Sequence, residues 1–377
     1  MAEAGATPPQ SEDERYMRRA LELARRAEGR TTPNPAVGAV IVRDGIIVGE
    51  GFHPAAGEAH AEIFALRQAG AAAQGATLYV TLEPCCHSGR TGPCTAAVLA
   101  AGLARVVAGC RDPNPKVAGG GFEQLQGAGI QVESGLLNEE CRRLIAPFAK
   151  HIRTGRPYVT LKAGITIDGA VATASGESQW ITGAESRAVV HRLRDTHDAI
   201  MVGIGTVLAD NPHLTTRLPQ GDGKNPLRIV IDSTLRTPPT AALLSEAGKT
   251  LILTTAVASA ADEARLQAEN VEILRVAGGA GAVDLLDAMR QLGRRGIQSI
   301  LLEGGGRLHH SALHAGIVDR LCVFIAPLLL GGRGLPLFSG DGVTTLKSAF
   351  RLRQLQVERY GDDLLLDGEL ESSCLPD

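Results

Sequence analysis

The chain is poor in aromatic residues. They make up 3% of its 377 positions, with a single Trp. So few rings provide no stacking platform for a single-stranded nucleic acid. Strong charge of either sign is also missing: 38 Lys and Arg stand against 41 Asp and Glu, a formal net charge of −3. That balance lacks the basic footprint of a nucleic-acid binder or of a protein held on an anionic membrane. No run approaches the roughly 20 apolar residues of a membrane-spanning helix. Residues 1–10 carry neither the basic nor the apolar region of a secretory signal, and read as a flexible tail. The seven cysteines are odd in number, and Cys85, Cys86 and Cys94 cluster. Reduced thiols in the cytoplasm fit this pattern better than a secreted disulfide scaffold.

With 44% hydrophobic residues and a length near two average domains, the chain can build two cores. Ser11 and Glu14 form a capping box. Behind it Met17, Ala20, Leu21, Ala24 and Ala27 mark one helical face, stopped at Gly29. Residues 36–42 and 46–51 are apolar strands meeting at Asp44-Gly45, a tight-turn signal. A helix over 58–69, a strand over 76–82, a helix over 93–101, strands over 105–110 and 130–133 and a helix over 122–127 complete an α/β series. The pattern breaks into basic and turn residues over 151–157, which read as a linker between domains 11–150 and 158–372. The second domain shows strands over 158–163, 199–202, 227–231, 250–254, 271–275, 299–303, 321–327 and 363–370. Helices over 184–196 and 282–295 lie between them.

His60, Cys85 and Cys94 are the residue types that hold zinc, and three protein ligands leave a fourth position for water. Cys94 sits at a helix start, where the helix dipole favours a thiolate. Glu62, two residues from His60, is placed to move protons without being a ligand. A His-x-Glu followed by Pro-Cys and a second Cys is the layout of zinc base deaminases, although the cysteines here are nine positions apart instead of three. A purely structural zinc site, or a buried cysteine pair beside a surface His-Glu, would account for the same ligand types but not for Glu62. Cys86 and His87 are rival ligands, ranked behind Cys85 because Pro84 marks where strand gives way to loop. His53 reads as a solvated loop residue or a substrate contact.

The stretches TTPNPAVGAVIV, GFHPAAGEAHAE, VTLEPCCHSGRTGPC and DPNPKVAGGG, in that order, resemble the deaminase half of the bifunctional deaminase–reductases of riboflavin biosynthesis. The long cysteine spacing is that family's own. The resemblance implies one zinc ion per chain on His60, Cys85 and Cys94, Glu62 as proton shuttle, and Asn34, His53, Arg90, Asp112 and Asn114 as substrate contacts. Arg90 suits a phosphate, because a guanidinium pairs with it through two hydrogen bonds.

In the second half the residues alone say less. Gly203-Ile204-Gly205 and Gly304-Gly305-Gly306 each end a strand, where backbone N–H groups can meet a phosphate. Lys162, Asp168, Asp210 and Arg217 are polar residues at strand ends or in loops. LKAGITIDGAVATASGESQWIT, VGIGTVLADNPHLTTR, RIVIDS and LLEGGGRL resemble the reductase half of the same family, a domain similar to dihydrofolate reductase. The resemblance spans residues 12–370. It implies two three-layer αβα domains, the first cytidine-deaminase-like. It implies NADPH at Gly164, Trp180, Thr206, Asp210, Ser233 and the run Gly305, Gly306, Arg307, Leu308, His309, His310 and Ser311. Substrate contacts would be Lys162, Ser178, Arg194, Leu214, Arg217 and Glu303. The substrate would be a phosphoribosyl pyrimidine, with no nucleic-acid or membrane partner, and the assembly a homo-oligomer. His309, His310 and His314 lack Cys or acidic partners at ligand spacing, so no second metal is expected. The rival expectation is a nucleic-acid or nucleoside base deaminase with a C-terminal binding domain.

Overall fold

The computed structural model describes residues 11–87, 92–115, 117–221, 223–279 and 281–371. Residues 1–10, expected as a tail, and Arg90 lie outside these. The chain forms two compact units, Met1–Thr154 and Gly155–Asp377. Residues 151–154, expected in a linker, are instead the last turn of the helix Ala146–Thr154.

The first unit carries a five-stranded sheet. Gly38–Arg43 pairs antiparallel with Ile46–Phe52 through the expected two-residue turn. Asp44 and Gly45 take positive φ of 51° and 78° there. On its other side Gly38–Arg43 pairs antiparallel with Thr77–Leu82, and Arg105–Cys110 and Gln131–Ser134 then add in parallel. The helix Glu12–Arg25 starts where the capping box predicts, with Ser11 Oγ accepting from Glu14 N–H at 3.2 Å. Its buried face holds Met17, Ala20, Leu21 and Ala24. That face lies so close to the sheet that a Cβ on Gly38 would collide with the Ala20 carbonyl. The helix expected over 58–69 begins three residues later, as Ala61–Ala69, because His60 is extended and serves as its N-cap.

The second unit is built on a nine-stranded sheet. In spatial order its strands are Val271–Arg275, Thr250–Thr254, Leu227–Ile231, Ala199–Gly203, Ser299–Leu302, Tyr158–Thr166, Arg320–Ala326, Asp363–Leu370 and Leu352–Tyr360. The first seven run parallel and the last two form an antiparallel hairpin. Ser299–Leu302 inserts between Tyr158–Thr166 and Ala199–Gly203, so strand order reverses there. Ligands of open α/β sheets bind at the carboxyl ends of such a switch point. Ile300, Leu302, Leu161 and Met201 on these central strands are fully buried, which explains their continuous apolar runs. Leu352–Tyr360 is absent from the expected strands: it is an edge strand, largely exposed, in which two apolar residues stand among charged and amide side chains over most of its length. Among the described residues no helix is long and apolar enough to cross a membrane.

Gly38→Ala should destabilise the first unit by about 1–3 kcal/mol, since backbone and helix must separate to admit one methyl. Denaturant titration of the chain measures it as a lowered midpoint for that unit.

Candidate active sites

In the first unit three elements bring their ends together. His60 caps Ala61–Ala69, Cys85 follows the strand Thr77–Leu82, and Cys94 opens the helix Cys94–Ala100. Their ligand atoms all lie within 4.8 Å of one another. His60 Nδ1 is 3.2 Å from Cys94 Sγ and 3.6 Å from Cys85 Sγ. A tetrahedral centre with bonds of about 2.0–2.3 Å separates its donor atoms by roughly 3.5 Å, so this trio fits zinc. Among the described residues it is the one such cluster, and it excludes Cys86 and His87.

The helix start that carries Cys94 also serves Cys85. The first N–H of that helix, on Cys94, donates to Cys85 Sγ at 3.3 Å, where the positive end of the dipole favours a thiolate. Cys94 and this N–H, together with His60, lower the pKa of the Cys85 thiol.

Glu62 is 3% exposed. Burial first, then the neighbouring Cys85, raises its carboxyl to about 6. His53, which the residues alone left as a solvated loop residue or a substrate contact and the resemblance implied as a contact, is 2% exposed. Its Nδ1 lies 3.0 Å from the Ala59 carbonyl, which can only accept, so Nδ1 carries the proton and Nε2 accepts from Asn34 Nδ2 at 3.0 Å. Burial lowers its pKa, keeping it neutral. A cavity of about 380 Å³ brings Glu62, His60 and Cys85 together with Asn34, His53, Asp112 and Asn114. Sequence reasoning missed Glu83, whose carboxylate gathers backbone N–H groups from residues 112–122. Its partners are distant in sequence, so no local motif announces it.

In the second unit a cavity of about 730 Å³ opens at the switch point. All six expected substrate residues line it: Lys162, Ser178, Arg194, Leu214, Arg217 and Glu303. Glu303 receives Arg194 Nε at 2.8 Å and Nη2 at 3.0 Å, with Lys162 Nζ at 3.4 Å. Burial alone would raise the Glu303 carboxyl, but Arg194 and Lys162 bring it to about 2. Arg194 also donates from Nη1 to the Thr215 carbonyl at 3.0 Å, so three of its N–H groups are engaged within the protein. Burial, then Arg194 and Arg217, depress His191 to about 4. Asn211 and the buried Leu214 hold positive φ of 42° and 56° in the loop on this cavity, a strain typical of functional loops.

Of the expected cofactor residues, Gly164, Trp180, Thr206, Asp210 and His309 line the cavity. Trp180 is 64% exposed, with Arg187 Cζ 4.7 Å from its ring centroid. His309 is 2% exposed and donates from Nδ1 to the Leu337 carbonyl at 3.3 Å, leaving Nε2 without a partner among the described residues. The rest of the Gly305 to Ser311 run is not on the wall. Gly305 caps the helix Gly306–His314, Leu308 packs into the core, and His310 stacks on His314 at 4.0 Å. Helical periodicity is the reason: successive residues point about 100° apart. Ser233 is also off the wall, and its carbonyl accepts from the hydroxyls of Thr254 and Thr255.

Residues 10–110 match the family described as the cytidine and deoxycytidylate deaminase zinc-binding region, and residues 157–366 match the RibD C-terminal domain. Riboflavin biosynthesis protein RibD of Escherichia coli is 46% identical over 366 residues, covering 94% of this chain and 98% of that one. The Aquifex aeolicus RibD is 44% identical over 356 residues, covering 94% and 97%. The solved Acinetobacter baumannii RibD superposes with a TM-score of 0.82 at 39% identity, covering 95% of this chain and 99% of that one. A Thermotoga maritima diaminohydroxyphosphoribosylaminopyrimidine deaminase / 5-amino-6-(5-phosphoribosylamino)uracil reductase gives 0.82 at 36% identity, covering 95% and 99%. Fold and sites thus define a two-headed enzyme, a zinc-binding deaminase domain joined to a reductase domain. The chain belongs to the RibD family, the bifunctional deaminase–reductases of riboflavin biosynthesis.

The Glu303 carboxyl is held below its ordinary value of 4.5, at about 2. A depressed carboxylate contributes stability that is present above 4.5 and lost as pH falls toward 2. Denaturant melts across that window should show the loss. Glu303→Gln should remove this component while costing about 3–5 kcal/mol at neutral pH, because Arg194 is left buried without its counter-charge.

Proposed function

We propose that the first unit hydrolyses the 2-amino group of 2,5-diamino-6-ribosylamino-4(3H)-pyrimidinone 5′-phosphate. The second unit then reduces the ribosyl side chain with NADPH, giving 5-amino-6-(5-phosphoribitylamino)uracil. The observation that carries this reading is the cluster of His60, Cys85 and Cys94 with Glu62 buried beside it. A structural zinc site would have no use for a buried carboxylate raised to about 6.

His60, Cys85 and Cys94 would hold one zinc ion, which supplies Lewis acidity that makes water nucleophilic near neutral pH. Glu62 takes one proton from the attacking water and gives it to the ring nitrogen as the C2–O bond forms, then carries the second proton from the resulting hydroxyl to the amino group, which leaves as ammonia as the C2–N bond breaks. Its raised pKa suits both directions of transfer. Asn34, Asp112 and Asn114 face the pyrimidine, and His53, neutral and locked between Asn34 and the Ala59 carbonyl, presents a fixed edge to it. Arg90 takes the phosphate.

In the second unit Gly164, Trp180, Thr206, Asp210 and His309 would hold NADPH, which supplies the hydride for sugar C1′. Gly305 and Gly306, at the start of the helix Gly306–His314, would offer the cofactor backbone N–H groups. Arg217 takes the phosphate, since Arg194 is occupied in orienting Glu303. Lys162 Nζ donates to Glu303 at the polar end of the cavity. The cytoplasm is the proposed location, in keeping with six free cysteines among the described residues. The partner is a small molecule, not a nucleic acid or a membrane.

The assembly is a homo-oligomer. The support is the edge strand Leu352–Tyr360, with Leu355 and Val357 exposed at 51% and 59% and Leu364 exposed on the adjoining strand. An exposed edge strand of this length is a template for pairing with a second copy.

Glu62→Gln should abolish ammonia release while zinc analysis still returns one ion per chain. NADPH oxidation with the deaminated intermediate should survive that substitution and also chelator treatment. Full ammonia release by the variant would sink the mechanism. Absence of any fall in nicotinamide absorbance with the intermediate would sink the reductase assignment. Val357→Lys should shift the assembly toward monomer in sedimentation velocity at unchanged helix content.

A further inference from the structure

The helix Gly120–Gly127 opens without a capping side chain, because its N-cap is Gly119 at φ 96°. Its first N–H groups nevertheless have a charged acceptor. Gly119, Gly121 and Phe122 N–H donate to Glu83 Oε1 at 2.9, 3.0 and 3.3 Å. Gly119 N–H also reaches Oε2 at 3.0 Å, and Asp112 N–H donates to Oε2 at 3.1 Å. Glu83 is 2% exposed and lies just past the end of the strand Thr77–Leu82, two residues before Cys85. A carboxylate at a helix N-terminus satisfies orphan donors and meets the positive end of the dipole. The approach depends on glycine: a Cβ on Gly121 would collide with the Pro84 carbonyl, and one on Gly120 would stand 3.1 Å from Cys86 Sγ. Between the two ends of this clamp hang Asp112 and Asn114. Asp112 Oδ1 accepts from Asn114 N–H at 2.8 Å, and the Asn114 carbonyl accepts from Val117 and Ala118 N–H.

We propose that Glu83 is a positioning residue of the deaminase site, capping the helix Gly120–Gly127 from the segment that leads into Cys85 so that the Asp112–Asn114 wall keeps a fixed place relative to the cysteine loop. The assignment rests on the deaminase reading above. Its physical content is a shared anchor: the strand end that delivers Cys85 also holds the substrate wall. Glu83 hydrogen-bonds to none of the three donors, so its loss should act on the distance between them and that wall, and hence on substrate binding more than on metal content.

The test uses the full chain with Glu83→Gln and, from the other side of the clamp, Gly121→Ala. An amide NH₂ in place of one carboxylate oxygen sets donor against donor, and the added methyl forces the helix from Pro84. Both should raise the deaminase KM for the phosphoribosyl pyrimidine by about tenfold or more, the scale of losing an outer partner of a metal site, with a smaller change in kcat. Zinc content and reductase turnover should stay at one ion per chain and the native rate. Amide hydrogen exchange should rise over 112–122 but not over 77–82. A kcat loss that tracks zinc loss, with KM unchanged, would overturn the proposal in favour of support for Cys85 alone. Unchanged exchange over 112–122 would overturn it whatever the kinetics. If the native chain releases no ammonia from this substrate, the deaminase reading fails, and the exchange measurement still decides the clamp.

Discussion

The N-terminal unit is organised around three donor atoms that packing brings within 4.8 Å of one another. Cys85 Sγ accepts the N–H of Cys94, and His60 Nδ1 faces both sulfurs. Glu62 lies buried beside them, and that burial, then Cys85, raises its carboxyl. A divalent cation held there would balance the charge that two thiolates bring. The spacing of the donors fits a tetrahedral centre.

The second unit solves a similar problem without a metal. Glu303 at the switch point would be costly to bury alone, and Arg194 and Lys162 neutralise it. The bidentate pairing sets the carboxylate's orientation, and the further bond from Arg194 to the Thr215 carbonyl ties the loop carrying Leu214 and Arg217 to the same ion pair. Orientation is the gain here, since a buried ion pair contributes little net stability over a well-packed apolar substitute.

The two sites differ in how much of them the chain announces. His60, Glu62, Cys85 and Cys94 are legible because metal chemistry restricts both residue type and order. The central strands are legible because burial on both faces demands apolar runs. Leu352–Tyr360 is not, since an exposed edge places no such demand on its residues. Glu83 reads as an ordinary acidic residue before a proline, and only folding brings residues 112–122 to it. In the Gly305 to Ser311 run, glycines suggest backbone contact with a ligand, yet helix geometry turns Leu308 into the core and His309 alone into the cavity.

Composition and motif order by themselves determined that this is a two-domain α/β chain with a zinc-type cluster in its first half. Donor chemistry is carried by residue identity, and strand burial by hydrophobic runs. The tertiary structure decided that the helix start of Cys94 gives its N–H to Cys85, that His53 is buried and neutral, and that Arg194 orients Glu303. Each of these depends on the direction of one N–H or one guanidinium, and direction exists only once the elements are packed.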